Sequence, residues 1–491
     1  MSRLSIGIAG GGIGGMTAAL LLAGDGHAVT LHERSSRLGG RLRYEQFGRF
    51  RIDQGPTIVL LPELLLGLLE EAGVRLDRLE LLPCDPMYRI HYGDGAVFEK
   101  WSDPERQLAE IARLFPGEEN GFRRYMRDHD RAFPEGKRAF LDRPFLHARR
   151  ALTPQSVRLL LRMRAYRSVR ARAASYFRDP RLIDAFSLQT LYIGGGPHRT
   201  PALYGFIPYA EHRYGVWYLK GGYAGLVAEL SAALERRGVT VKLGSEVTGI
   251  RVADGRARGL ETADGFEPYD AVVFNGEAPL LPKLLPAHVR APKRRFTPSS
   301  GCLLLYIGAS RRWPEAAVHQ FVLPADFDAG MRRLFAEGVI PEQPSYYLFN
   351  PAAIDPESAP SGESALYLMI PAPPANAPMW AESDIKQRID ALLDAVLADA
   401  ERKLLPGLRS AIVERKVRTP FDAEAIGLYQ GGSFGIAPTA AQSGPLRPQL
   451  KPLPIERLYA VGASTHPGGG VPIVMQGAKL LAEHIRKEMY S

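Results

Sequence analysis

Cysteine is scarce: there are two, Cys84 and Cys302, far apart in 491 residues. That count and spacing exclude a disulfide framework, a cysteine zinc site and a CxxC redox pair, and no metal site is expected. A reduced, cytosolic compartment fits such usage. Long apolar runs are missing too. The nearest candidate for a transmembrane helix, IVLLPELLLGLL at 58–69, is short and carries Pro62 and Glu63, so no spanning helix is expected. Acidic residues are absent from 149–178, RRALTPQSVRLLLRMRAYRSVRARAASYFR, where arginines alternate with Val157, Leu160, Leu161, Met163, Tyr166 and Val169 at helical spacing. Such a basic amphipathic stretch suits an anionic membrane surface. It also suits a solvated arginine face packed on a core. Nucleic acid is not expected as a partner, because no nucleic-acid-binding motif accompanies the charge.

What is present describes a globular chain. Hydrophobic residues make up 45% and charged residues 23%, enough to bury a large core in two or three domains. The formal net charge is +9, which by itself marks a basic surface and no particular partner. The N-terminus has an early Arg3 and an apolar stretch, as a signal peptide has, but its glycines are spaced for another purpose. LSIGI (4–8) reads as a buried strand, followed by Gly10-x-Gly12-x-x-Gly15, a helix-like MTAALLLAGDG, and a second strand AVTLHE (28–33) ending in Glu33. This is a βαβ unit with a dinucleotide fingerprint. Gly10 permits the tight turn, Gly12 lets the backbone approach a pyrophosphate, and Gly15 lets the helix pack on the strand. The helix N-terminus offers N–H groups to phosphate, and Glu33 would accept from a ribose diol. FAD and NAD(P) share this unit.

A second glycine loop lies near the other end, in RLYAVGASTHPGGGVPIVMQGAKL (457–480). Leu458 to Val461 reads as a strand. Gly462 and the glycines at 468–470 allow close backbone approach, and Pro472 suits a first helical turn, where its missing N–H costs nothing. Between the two loops, LKGGYAGLVAELSAALERRG reads as a glycine turn and an amphipathic helix. Short strands follow to residue 276, with hairpin turns at Asp254-Gly255 and Asp264-Gly265. The runs GCLLLYIG and SALYLMIP suggest an antiparallel sheet across 296–371 and 409–437, while 104–215 reads mainly as helices. Gly431-x-Ser433-x-Gly435 matches a nucleophile elbow. That motif needs a following helix, and Pro438 and Pro445 argue against one.

RSSRLGGR (34–41) and RIDQGPTIV (51–59), coming after Glu33, resemble the FAD-binding start of the flavoprotein oxidoreductase and amine-oxidase superfamily. In that superfamily the last chain segment supplies a strand, a loop and a helix at the flavin end, as RLYAVGASTHPGGGVP would here. Together with GASTHPGGGVPIV, LHERSSRLGGR and IDQGPTIV, the chain is similar to the bacterial carotenoid (phytoene) desaturase family. LQTLYIGGGPHRTPALYGFIPYAEHRYGVWYLKGG (188–222) and GSFGIAPTAAQSGPLRPQ (432–449) look most like the branch acting on 4,4'-diapophytoene (dehydrosqualene).

The resemblance implies an α/β fold, a two-domain (α+β) flavoprotein. It would have a Rossmann-like FAD-binding domain of the amine-oxidase and glutathione-reductase type, a discontinuous mixed-sheet substrate domain and a helical membrane-associating region. The boundaries expected are 1–70, 219–290 and 450–491 for FAD, 71–103 and 291–449 for substrate, and 104–218 for the helical region. FAD is the cofactor implied, held by Gly10, Ile13, Gly14 and Gly15 with Gly12, by Glu33 and Arg34, and by Gly40 and Arg41 along the pyrophosphate. Gly55 and Pro56 would lie close to the flavin, Val247 at the adenine, and Gly462, Gly470 and Val471 at the flavin end. Many flavoproteins carry an Asp just after the glycine of the last strand; Gly462-Ala463-Ser464 offers no carboxylate there. The activity implied is removal of hydrogen pairs from a lipid-soluble C30 carotenoid precursor by an enzyme peripheral on the inner face of the cell membrane. Competing readings are a terminal-methyl oxygenase of the same carotenoids, a C40 phytoene desaturase, an amine oxidase, and a membrane-surface protein that keeps FAD structurally. Amine oxidases usually attach flavin through a C-terminal cysteine, and none lies near residue 460. Glu211, His212 and His466 are conceivable bases, none of them assigned.

Overall fold

The computed structural model describes residues 3–146, 153–290, 292 and 294–490, so residues 149–152 of the arginine-rich stretch lie outside it. One sheet has five parallel strands in the order Leu458–Ala460, Ala271–Phe274, Ser5–Ala9, Ala28–Glu33 and Thr240–Leu243. Its central strands are apolar on both faces, as a sheet covered on both sides requires. The helix Ile13–Gly24 is buried from Ile13 to Leu22. It packs against the helices Gly222–Arg236 and Val471–Tyr490. Three distant stretches of chain therefore share one core. The Asp254-Gly255 turn joins strands Gly249–Ala253 and Arg256–Thr262 as expected, with both turn residues at positive φ.

The second large sheet has seven strands, in the order Ile412–Arg418, Gly301–Ala309, Ser364–Ala372, Tyr346–Phe349, His319–Leu323, Tyr88–Tyr92 and Val97–Lys100. It is mixed rather than purely antiparallel, because His319–Leu323 runs parallel to Tyr88–Tyr92. Every residue of Gly301–Ala309 is buried. Its side chains alternate: Cys302, Leu304 and Tyr306 join one core, and Leu303, Leu305 and Ile307 the other. The second core is closed by Leu393, Val396, Leu397 and Ala400 of the helix Ile385–Lys403. The first faces a layer of helices drawn from 104–214.

Two sequence expectations are corrected here. The arginine-rich stretch is not one helix: helix Pro154–Arg162 stops before Arg164, which sits at φ 51, and a separate short helix spans Val169–Ala173. Met163 and Val169 turn into the interior, whereas Val157, Leu161 and Tyr166 are exposed. Val247, within the stretch expected to run as short strands to residue 276, lies instead in the loop before Gly249.

Asp53 ties the two sheets' neighbourhoods together. The helix Gly222–Arg236 begins after Gly221, which has no capping side chain. Asp53 stands in from 170 residues away, its carboxylate accepting from the N–H groups of Tyr223 at 3.0 Å and Ala224 at 2.9 Å. Asp53→Ala is expected to cost about 1–3 kcal/mol of stability, read as a lowered Tm. An unchanged Tm would show that the cap carries no load.

Burial also holds His129 and His319 neutral, pushing His129 down to about 4 and His319 to about 3 from 6.5. Each takes up a proton on unfolding below pH 6.5, so each contributes stability above that pH that is lost as the pH falls toward its folded value. Asp53, pushed up to about 7 by burial, acts in the opposite sense, so a variant must isolate the histidine. His129→Gln should remove up to about 3 kcal/mol of the stability difference between pH 6.5 and pH 4. Parallel wild-type and variant stability curves across that window would refute this.

Candidate functional site

The glycine fingerprint forms at the C-terminal end of Ser5–Ala9, where the chain turns into helix Ile13–Gly24. Gly10 takes φ 109. A Cβ there would lie 2.7 Å from the Asn275 carbonyl oxygen, one on Gly14 2.7 Å from Asn275 Oδ1, and one on Gly15 2.1 Å from the Gly10 carbonyl oxygen. The glycines are thus required by the neighbouring strand's end as much as by a ligand. Asn275 Nδ2 donates to the Gly10 carbonyl at 3.0 Å, and its backbone N–H to Ala9 at 2.8 Å. Helix Ile13–Gly24 has no side-chain cap at Gly12, so its first N–H groups are available to an anion.

Glu33 ends the second strand and is buried. It accepts from the Gly11 N–H at 2.8 Å and the Ser35 N–H at 2.9 Å, which leaves acceptor capacity on both oxygens. The Gly39-Gly40 loop folds back onto the fingerprint: the Gly39 N–H donates to the Gly11 carbonyl at 2.8 Å, and a Cβ on Gly40 would sit 3.2 Å from Gly12 Cα. Arg41 follows, paired with Glu277. At the far end of the chain, Gly462 and Gly468–Gly470 lead into helix Val471–Tyr490. No Cβ at Gly468, Gly469 or Gly470 would meet an atom closer than 3.5 Å, leaving an open cradle at a second helix N-terminus.

These pieces line one cavity of about 1490 Å³. Of the fifteen residues expected to hold a cofactor, Gly10, Gly12, Ile13, Gly14, Glu33, Arg34, Gly40, Arg41, Gly55, Pro56, Val247, Gly462, Gly470 and Val471 all line it. Gly15 does not, and its place against Gly10 is that of a helix–strand packing residue. The Gln54–Thr57 loop is pinned between the two sheets. Tyr306 and Tyr367 donate to the Gln54 and Gly55 carbonyls at 3.0 and 3.1 Å, and Thr57 bonds Tyr347 at 2.9 Å. Beyond that loop the wall is apolar and aromatic, with Phe133, Leu191, Phe206, Phe321 and Met369.

The conceivable bases separate. Only His466 of the three lines the cavity. It is held neutral, pushed down to about 4 by burial, and its Nε2 lies 3.1 Å from the Arg143 carbonyl. Glu211 and His212 are fully enclosed behind the wall. Glu211 accepts from Tyr88 at 2.7 Å and Gln189 at 3.1 Å, and burial raises its carboxyl while Lys100 pulls it down. Lys100 is itself buried, pushed down to about 7 by its surroundings, with its ammonium 3.8 Å from the Phe186 ring centroid. Sequence reasoning missed Lys100, Asn275 and Glu277. A lone polar residue after an apolar strand has no motif, although FNGE at 274–277 follows a predicted strand at the end where α/β sheets place ligands. The GxSxG match is a loop: Ser433 follows a short turn and its N–H donates to Ser300, with no helix after it.

The glycine cradles, two helix N-termini and the Glu33 carboxylate fit a flavin dinucleotide lying from the first loop to the last. Comparison with known proteins agrees. The family model for flavin-containing amine oxidoreductases matches residues 13–486. The chain is 44% identical, over 99% of its length and 98% of the relative's, to a 4,4'-diapolycopen-4-al dehydrogenase of Metabacillus indicus. It is 29% identical, over 99% of both chains, to a 4,4'-diaponeurosporene-forming 4,4'-diapophytoene desaturase of Staphylococcus haemolyticus. Its fold matches that of putrescine oxidase bound to putrescine with a TM-score of 0.65 at 15% identity over the whole of both chains. The chain belongs to the flavin-containing amine oxidoreductase family, and its cofactor is FAD.

Proposed function

We propose that this protein is a FAD-dependent desaturase that removes hydrogen pairs from a C30 carotenoid precursor of the 4,4'-diapophytoene type. The observation that carries the reading is the single cavity. Its volume exceeds the roughly 300–1,000 Å³ of ordinary ligand pockets. One end is built from cofactor-type glycine loops, the other from aromatic and aliphatic side chains with the chemistry of a hydrocarbon. The full-length similarity to carotenoid enzymes supports the same substrate class.

FAD, when bound, supplies a hydride acceptor. This chain's own residues do the rest. The fourteen lining residues would hold the cofactor: Arg41 and the N-terminus of Ile13–Gly24 would take its phosphates, and the N-terminus of Val471–Tyr490 would favour added electron density on its ring. The wall around Phe206, Phe321 and Met369 orients the polyene and excludes water, which keeps the developing cation on the substrate from being trapped. Stretches 1–70, 219–290 and 450–491 make the FAD domain, and 71–103 with 291–449 the substrate sheet.

The helical region 104–218 meets the membrane on the cytoplasmic side. Leu161 is 63% exposed and Tyr166 73% exposed, both line the cavity, and Arg158, Arg162, Arg164 and Arg167 around them are exposed. An apolar mouth ringed by arginines suits an anionic bilayer and gives a lipid substrate a dry route inward. Among the described residues no helix is long and apolar enough to cross a membrane; the contact proposed is a peripheral one. Leu161→Glu combined with Tyr166→Glu should lower binding to phosphatidylglycerol vesicles about tenfold or more. Undiminished binding would place the contact elsewhere.

A second reading is oxidation of a terminal aldehyde to a carboxylate, favoured by the 44% identical relative. One experiment separates the two. The chain is expressed in a bacterium that makes the colourless C30 precursor, and pigment absorbance and product mass are recorded. The same cells are then supplied with the C30 aldehyde. Yellow or orange pigment lighter by pairs of hydrogens is the expected result. Unchanged precursor, together with an aldehyde made heavier by one oxygen, would transfer the assignment to the second reading.

A further inference from the structure

We propose that Glu277 supplies the carboxylate that binds the ribityl hydroxyls of the cofactor, replacing the one that Gly462-Ala463-Ser464 does not provide, with Ser464 and Arg41 as its positioning partners. The inference rests on the reading that the cavity holds FAD with its phosphates at the first glycine loop and its ring at the last.

Three observations carry it. First, position: residues 275–277 lie between the two loops. Asn275 touches the first through its bond to Gly10, and a Cβ on Gly462 would come within 3.5 Å of Asn275 Oδ1 and the Gly276 carbonyl. The ribityl chain is the part of FAD that joins phosphate to ring, so it passes this point. Second, burial and access: Glu277 is 4% exposed and lines the cavity. Third, partners: Glu277 accepts from the Ser464 hydroxyl with one oxygen and from the Arg41 guanidinium with the other. Ser464 belongs to the C-terminal loop itself, so it fixes Glu277 beside the position the missing carboxylate would occupy. Arg41 offsets the charge of a buried acid. An ionised carboxylate has about four acceptor sites and no donor. Two are used, and the rest match hydroxyl donors.

The test uses purified protein and flavins altered one hydroxyl at a time. Dissociation constants are measured by flavin fluorescence for FAD and for FAD lacking the 2′-, 3′- or 4′-hydroxyl of the ribityl chain, with wild type, Glu277→Gln and Ser464→Ala. A hydrogen bond to a charged acceptor is worth about tenfold to a hundredfold in affinity. Wild type should therefore bind at least one deoxy flavin weaker by that factor. Glu277→Gln should weaken FAD similarly and lose the discrimination, with Ser464→Ala between the two. Equal weakening of all four flavins by Glu277→Gln would show a merely structural role and overturn the assignment. Wild type that binds all four alike would overturn it without any variant, so a Glu277→Gln that fails to fold does not block the answer. Wild type that binds no flavin would refute the cofactor placement itself, a distinct failure.

Discussion

Everything in the site depends on how closely two parallel strand ends approach each other. Ser5–Ala9 and Ala271–Phe274 pair in register from Ile6–Ala271 to Ala9–Phe274, and the chain leaves both at the same level. Asn275 then occupies the space that side chains on Gly10, Gly14 and Gly15 would need. Had any of the three carried a Cβ, either the Asn275 bond to Gly10 or the turn into helix Ile13–Gly24 would have to yield. The fingerprint glycines accordingly serve two demands at once: a backbone bare enough for phosphate, and a seam tight enough to set residues 275–277 over it.

That seam organises the charge in the cavity. Two helix N-termini and Arg41 concentrate positive potential at one end, and Glu33 and Glu277 answer it from strand ends where backbone N–H groups, a serine and the arginine satisfy them. The other end is mainly aromatic and aliphatic, with Lys137 in its lining paired to Asp142, and the boundary is physical. Tyrosines 306, 347 and 367, donated by the seven-stranded sheet, hold the Gln54–Thr57 loop between the halves through main-chain and hydroxyl bonds. The network that could bring charge nearer, Lys100 with Glu211, is sealed behind the wall by aromatic rings.

Local signals in the sequence were good guides wherever one stretch of chain decides its own shape. The βαβ unit, the C-terminal strand–loop–helix and the Asp254-Gly255 hairpin turn lie where periodicity and glycine spacing put them. The strand Gly301–Ala309 also lies where the run GCLLLYIG suggested one; its burial on both faces came from the structure. Features set by distant partners were not. Nothing near Gly221 announces that its helix is capped by Asp53, nothing near Tyr88 that it lies parallel to His319, and nothing near Asn275 that the glycine loop is built around it. The arginine-rich stretch misled because helical spacing continues through 163–169, while the left-handed Arg164 breaks the chain there and sends Met163 and Val169 inward.

The desaturase and aldehyde-oxidising readings make opposite demands on water, and the cavity's design bears on the choice. Desaturation adds no atom to the substrate; it needs a hydride acceptor, a route for one proton and a wall that keeps water from the cation. Converting an aldehyde to an acid adds an oxygen, so water must reach the reacting carbon. Around the Gln54–Thr57 loop the lining includes Tyr347, Tyr367, Phe321 and Met369, together with Tyr192, Ser345 and Arg418. The Tyr347 and Tyr367 hydroxyls are already engaged, with Thr57 and with Gly55, and His466 is neutral with its Nε2 turned to a carbonyl. Polar atoms without a protein partner are few there: Gln54 Oε1, the Tyr192 hydroxyl, Ser345 Oγ and His466 Nδ1. A lining that is mostly aromatic and aliphatic suits the loss of hydrogen from a hydrocarbon, and the aldehyde reading would need its water held at one of those few unpartnered atoms.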